Sequence, residues 1–264
     1  MQSSNPVFTR RGQFSVGQAG AARGAQATQD LSPQQLEQMY GMPAAQRERA
    51  MTVDDVVQKS AIMLGLLLLG GAVGWTVLPL GAAFVAALVG FGIAMVVIFK
   101  RETSPALIMS YALVQGVFLG AITEVFEAAY PGIAVQAFLG VALVFGSMLA
   151  LYKSGKIRVT NRFVKVVTAA AFAAIGLVLV NLVASFFVDG GLGIRDGGPL
   201  AIAFSLGMIV LGAMFYAIDF DMAEKYAAAG VPEKEAWRAA FGLTLTTVWV
   251  YLEILRLLSY LRGE

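Results

Sequence analysis

The chain has no cysteine and no histidine among its 264 residues. Without cysteine there is no disulfide, no thiolate nucleophile and no Cys-ligated metal. Without histidine the commonest general base, the commonest transition-metal ligand and the usual proximal haem ligand are missing. A Ser–His protease pair and an H-E-x-x-H zinc site are excluded with them. No Gly-rich phosphate loop precedes a helix, and the last apolar run holds Arg256 but no lysine for a retinal. The chain is therefore not read as an enzyme, and no cofactor is expected. Charged residues are also scarce, 14 % against about 25 % in soluble domains. A net charge of +2 gives no reason to expect nucleic acid as a partner.

What is present is apolar. Hydrophobic residues make up 58 % of the chain, against about 45–50 % in a soluble domain. A membrane span needs about 20 apolar residues to cross roughly 30 Å of hydrocarbon. Seven such segments follow one another: 61–78, 82–99, 106–122, 133–152, 164–188, 200–218 and 241–261. The fold class is an all-α polytopic membrane protein, a seven-transmembrane-helix bundle over residues 52–264, with the lipid bilayer as its first partner. Residues 1–51 are polar, lack a signal-peptide core, and read as a mostly disordered tail with one short helix from Ser32. Thr52 and Asp55 form a capping-box pattern ahead of the first span.

The connecting segments carry Lys and Arg unevenly. Before the first span stand 6, between spans two and three 2, from Lys153 through Lys165 around the start of span five 5, and between six and seven 3; the alternate connections carry 0, 0 and 1. The positive-inside rule places the N-terminus in the cytoplasm. Seven crossings then put the C-terminus outside; Arg256 and Arg262 keep open a last segment that enters and only partly crosses. Small residues four apart, Gly70/Gly74, Gly90/Ala94 and Gly116/Gly120, predict close helix packing.

An ionisable residue within hydrocarbon is costly and a functional candidate by default. Asp219 ends the sixth run, sharing a helical face with Gly212, Phe215 and Tyr216. Glu253 lies in the seventh, sharing a face with Thr246, Trp249, Val250, Arg256 and Tyr260. If the two carboxylates meet, they titrate as a coupled pair. The alternative for Glu253 is a structural ion pair with Arg256, and for Asp219 a position at the aqueous helix end. Asp219, Glu253 and Arg256 form the expected gating and pH-sensing triad. Asp219 and Glu253 would hold a permeant Ca2+ transiently, with Asp221, Gln115, Tyr216 and Thr246 along its path. Asp221 and Glu224 are read in the connector after span six. The opposite side is acidic, with Glu124, Glu127, Asp189 and Asp196 against Arg195 alone, a mouth that would attract cations.

Three stretches resemble the Bax inhibitor-1 (transmembrane Bax inhibitor motif) family. They are Ile218-Asp219-Phe220-Asp221-Met222, Val250-Tyr251-Leu252-Glu253-Ile254-Leu255, and Tyr111 through Gly120 with Gln115 where the family often has glutamate. Ser4-Asn5-Pro6-Val7-Phe8 resembles the start of a bacterial branch with a long cytoplasmic tail. The resemblance implies a central last helix, the bacterial plasma membrane, and a pH-sensitive Ca2+ leak closed through the positions of Asp219 and Glu253. The alternative it implies is a non-conducting regulator that binds other membrane proteins, such as proteases or stress-response factors. Arg256 stands where the family commonly has asparagine, so a permanently ionised lock is expected here.

Overall fold

The computed structural model describes residues 49–77, 80–100 and 102–263. Seven α-helices follow in chain order: α1 Val53–Val77, α2 Leu80–Phe99, α3 Pro105–Ala129, α4 Ile133–Lys153, α5 Asn161–Ala184, α6 Pro199–Ala228 and α7 Ala236–Gly263. A single 3-10 turn, Glu233–Glu235, precedes α7. Six helices have the length and apolarity of a membrane span, and α2 is the shortest at 20 residues. The expected all-α polytopic bundle is observed. The expectations for the tail up to residue 48, including Ser32 and the stretch from Ser4 to Phe8, lie outside the described residues.

The helix starts follow local chemistry. Pro105 and Pro199 sit in the first turns of α3 and α6, where a missing N–H costs nothing. The Thr52 N–H donates to Asp55 Oδ2 at 2.8 Å and the Asp55 N–H donates to Thr52 Oγ1 at 3.3 Å, so the capping box forms as its spacing predicts. Glu127 caps α4 from outside, accepting from the N–H groups of Gly132 (2.5 Å) and Ala134 (3.0 Å). Asp196 likewise accepts from the Gly198 N–H at 3.0 Å ahead of α6. Two of the four acids assigned to a cation-attracting mouth are therefore helix-end ligands.

The two ends of the bundle are distinct. At the N-terminal end, Ala50 bridges to Pro232, and Arg49 reaches Asp55 and Glu233. Lys59 also pairs with Glu233, at 2.9 Å. The hydrogen bond to Glu233, then that to Asp55, raises the Arg49 pKa and holds the guanidinium charged. Thr103, between α2 and α3, donates to Glu235 at 2.8 Å, and Tyr152 at the end of α4 donates to Glu224 at 2.7 Å. At the C-terminal end, Arg262 Nη1 donates to the carbonyls of Tyr130 (3.2 Å) and Pro131 (2.9 Å) in the α3–α4 turn. The Tyr260 hydroxyl donates to the Arg195 carbonyl in the α5–α6 loop at 3.3 Å.

These contacts settle the course of α7. It is one unbroken helix of 28 residues, about 42 Å at 1.5 Å per residue, and it runs from one end of the bundle to the other. Glu253 and Arg256 lie within this helix without interrupting it and pair on a shared face. The sixth apolar run is also corrected. α6 continues to Ala228, so Asp219, Asp221 and Glu224 are helical. Asp221 is tied to Lys225 one turn on, at 2.6 Å, which supports the extension.

α7 packs on α1, α3, α4 and α6 and is the central helix. Half of its spanning window is buried, the largest share of any span. α5 is peripheral, packing on α6 and leaving Val166, Phe172, Ile175, Leu179 and Val183 exposed. An apolar face of that size is unusual on a soluble monomer and natural against lipid.

The glycine pairs on α1 and α3 face each other. A Cβ on Gly70 or Gly74 would run into the carbonyl oxygen of Leu113 or Val117. One on Gly116 or Gly120 would strike that of Leu67 or Gly71. The two backbones are in direct contact, the arrangement that small residues four apart permit. Gly90 performs a different task, leaving room for the Gln115 amide between α2 and α3.

Candidate functional site

The α6–α7 seam carries both intramembrane carboxylates, at different levels. Asp219 on α6 is 7 % exposed. The Thr246 hydroxyl on α7 donates to its Oδ2 at 2.7 Å. Gly242, one turn before Thr246, makes room for the carboxylate: a Cβ there would lie 3.2 Å from Asp219 Oδ1. Among the described residues no cation pairs with Asp219. The carboxyl group therefore has one neutral hydroxyl as its side-chain partner inside an apolar bundle.

Glu253 on α7 is 3 % exposed and lies nearer the C-terminal end. Its Oε1 accepts from two arginines: Arg256 Nη1 at 2.7 Å, on the same helix, and Arg195 Nη2 at 3.2 Å, from the α5–α6 loop. Ser205 of α6, fully buried, faces the same carboxylate. The Arg195 guanidinium also stacks on Phe204, 5.4 Å from the ring centre.

The structure joins Glu253 with Arg256, as their spacing predicts, but it does not bring Asp219 into that group. Thr246, the partner of Asp219, and Glu253 lie about two turns apart on α7, or ~10 Å of rise. Among the described residues no hydrogen bond links the two carboxylates. Asp219 and Glu253 thus occupy two stations along one seam. Between them Val250 fills the space left by Gly212, where an added Cβ would meet Val250 Cγ2. This is an apolar contact across the seam.

The remaining expected residues divide. Thr246 belongs to the Asp219 station. Tyr216 is fully buried beside it and donates to Thr247 Oγ1 at 3.1 Å. Tyr216 and Thr247 also line a half-open cavity of about 540 Å³ between α1, α3, α4, α6 and α7. Asp221 is occupied by Lys225. Gln115 stands in the α2–α3 contact, away from the seam. Among the described residues no three Asp or Glu side chains converge as a metal site. The two carboxylates are therefore single-charge stations; Ca2+ prefers 6–8 oxygens when held tightly.

Gly242 escaped sequence reasoning; it carries no local signal, because small residues are common in every span. Arg195 did carry one. It is the only Lys or Arg in the three connections that otherwise have none, and a lone cation among acids invites the question of what it neutralises.

A family model described as Bax inhibitor 1 like matches residues 5–263. Among curated proteins nothing matches the chain. The match spans nearly the whole sequence, and the chain belongs to the Bax inhibitor 1 like family. With its apolar helices, it is a multi-pass membrane protein.

Proposed function

We propose that this member of the family is a pH-sensitive Ca2+ leak pathway whose conduction follows the α6–α7 seam. The observation that carries the reading is Asp219, a buried carboxylate within a long apolar helix that has a hydroxyl and no cation as its partner. A structural charge in hydrocarbon is normally neutralised by a neighbour; one left open to a mobile cation suits transport. Glu253 is the second station and is held shut by arginine. The Gly212–Val250 contact separates the two and acts as an apolar barrier that must loosen for passage. Protonation of Asp219 removes the charge that draws the cation, so flux depends on pH. The N-terminal end of the bundle faces the cytoplasm across a bacterial plasma membrane, in keeping with its Lys and Arg.

The test is Ca2+ flux in proteoliposomes from acidic to alkaline pH, for wild type, D219N and E253Q. D219N is expected to lower flux and flatten its pH profile. Unchanged flux and profile in both variants overturn the carboxylate mechanism. Wild-type vesicles that never conduct overturn the leak itself and favour a regulator that binds other membrane proteins.

A further inference from the structure

We propose that Arg195 is a detachable latch. It holds the α5–α6 loop over the C-terminal end of the seam by pairing with Glu253, and Arg256 keeps Glu253 neutralised when the loop lifts. The inference rests on the leak reading for its purpose but not for its geometry.

The two arginines differ in what carries them. Arg256 is three residues from Glu253 on one rigid helix, so that pair survives any movement of the loop. Arg195 is 58 residues away in sequence and arrives on a loop with positive φ at Gly190, Gly191, Gly193 and Gly197. Both guanidinium groups use the same oxygen, Oε1. Glu253 Oε2, Arg195 Nη1 and Ser205 Oγ are buried and, among the described residues, have no hydrogen-bond partner. A buried ionic group with bonding capacity unused is weaker than a closed network. The latch is therefore incomplete on the side that detaches.

Releasing an ordinary buried ion pair strands a bare charge, which is the main cost of breaking it. Here release leaves Glu253 with Arg256, and Arg195 moves toward water with its loop. Three further anchors bring the loop back to one place. Ile194 is buried, the Leu192 N–H donates to Asn181 Oδ1 at 2.8 Å, and Tyr260 donates to the Arg195 carbonyl.

The absence of cysteine allows a test that does not depend on flux. S205C places a single thiol beneath the loop, and labelling by a membrane-impermeant maleimide reports whether the loop is lifted. In the S205C background, R195Q is expected to speed labelling by at least about tenfold, because a partner of a buried charge is removed. R195K should stay near the parent rate, which shows that the loop still folds. R256Q should leave labelling slow, because the loop's own arginine remains. Slow labelling in R195Q, or equally fast labelling in R256Q and R195Q, overturns the latch. Fast labelling in R195Q without any Ca2+ flux upholds the latch and removes the leak reading, so the two failures are distinguishable.

Discussion

Thr246 donates to Asp219 Oδ2 at 2.7 Å across the α6–α7 seam, and both residues are buried. T246V keeps the shape and removes the donor. A buried acceptor left without its partner costs about 1–3 kcal/mol. Thermal unfolding in detergent should show that loss in T246V and little of it in T246S. Equal melting of T246V and wild type would mean that the hydroxyl does not support the carboxylate.

Gly242 should couple to Asp219 through space. In G242A the new methyl lies 3.2 Å from Oδ1 and 3.7 Å from Met222 Cε. Overpacking of this kind typically costs about 1–3 kcal/mol. D219A removes the carboxylate oxygen that the methyl meets, so the G242A cost should shrink in a D219A background. Additive effects in the double-mutant cycle would show that Gly242 makes no room for the carboxylate.

Two glycines should respond to alanine with opposite signs. Gly120 faces the Gly71 backbone, and an added methyl has nowhere to go. G120A is expected to destabilise by about 1–3 kcal/mol or more, through separation of α1 from α3. Gly176 meets nothing within 4 Å of an added Cβ. G176A should raise stability by roughly 0.5–1 kcal/mol, since alanine is the better helix former. Melting temperatures that move together would contradict the direct backbone contact.

A complete crossing by α7 has a simple readout. Single cysteines replacing Ala229, before α7, and Gly263, at its end, should label from opposite sides of the membrane. Positive charge at the N-terminal end predicts that Ala229→Cys labels from the cytoplasm. Labelling of both from one side would restore a partly crossing segment.

Much of this arrangement is local, and local features are legible in a sequence. Hydropathy marks the spans because bilayer thickness fixes their length. Thr52 caps with Asp55, and Glu253 meets Arg256, because residues three apart on a helix are neighbours whatever the fold. The α1 and α3 glycine stripes announce close packing, although not which stripe meets which. One position was misread where a charge was taken as a boundary: α6 runs through Asp219 to Ala228.

The sequence by itself determined the apolar helical segments and the i,i+3 ion pair. Tertiary structure alone decided the register of α6 against α7, and with it the separation of Asp219 from Glu253. Hydropathy cannot set that register, since two long apolar helices lose no burial by sliding past one another. Shape sets it: Val250 seats at Gly212, and Gly242 leaves room for Asp219. The same holds for Arg195, whose charge is plain in the sequence but whose partner is chosen by the path of a glycine-rich loop.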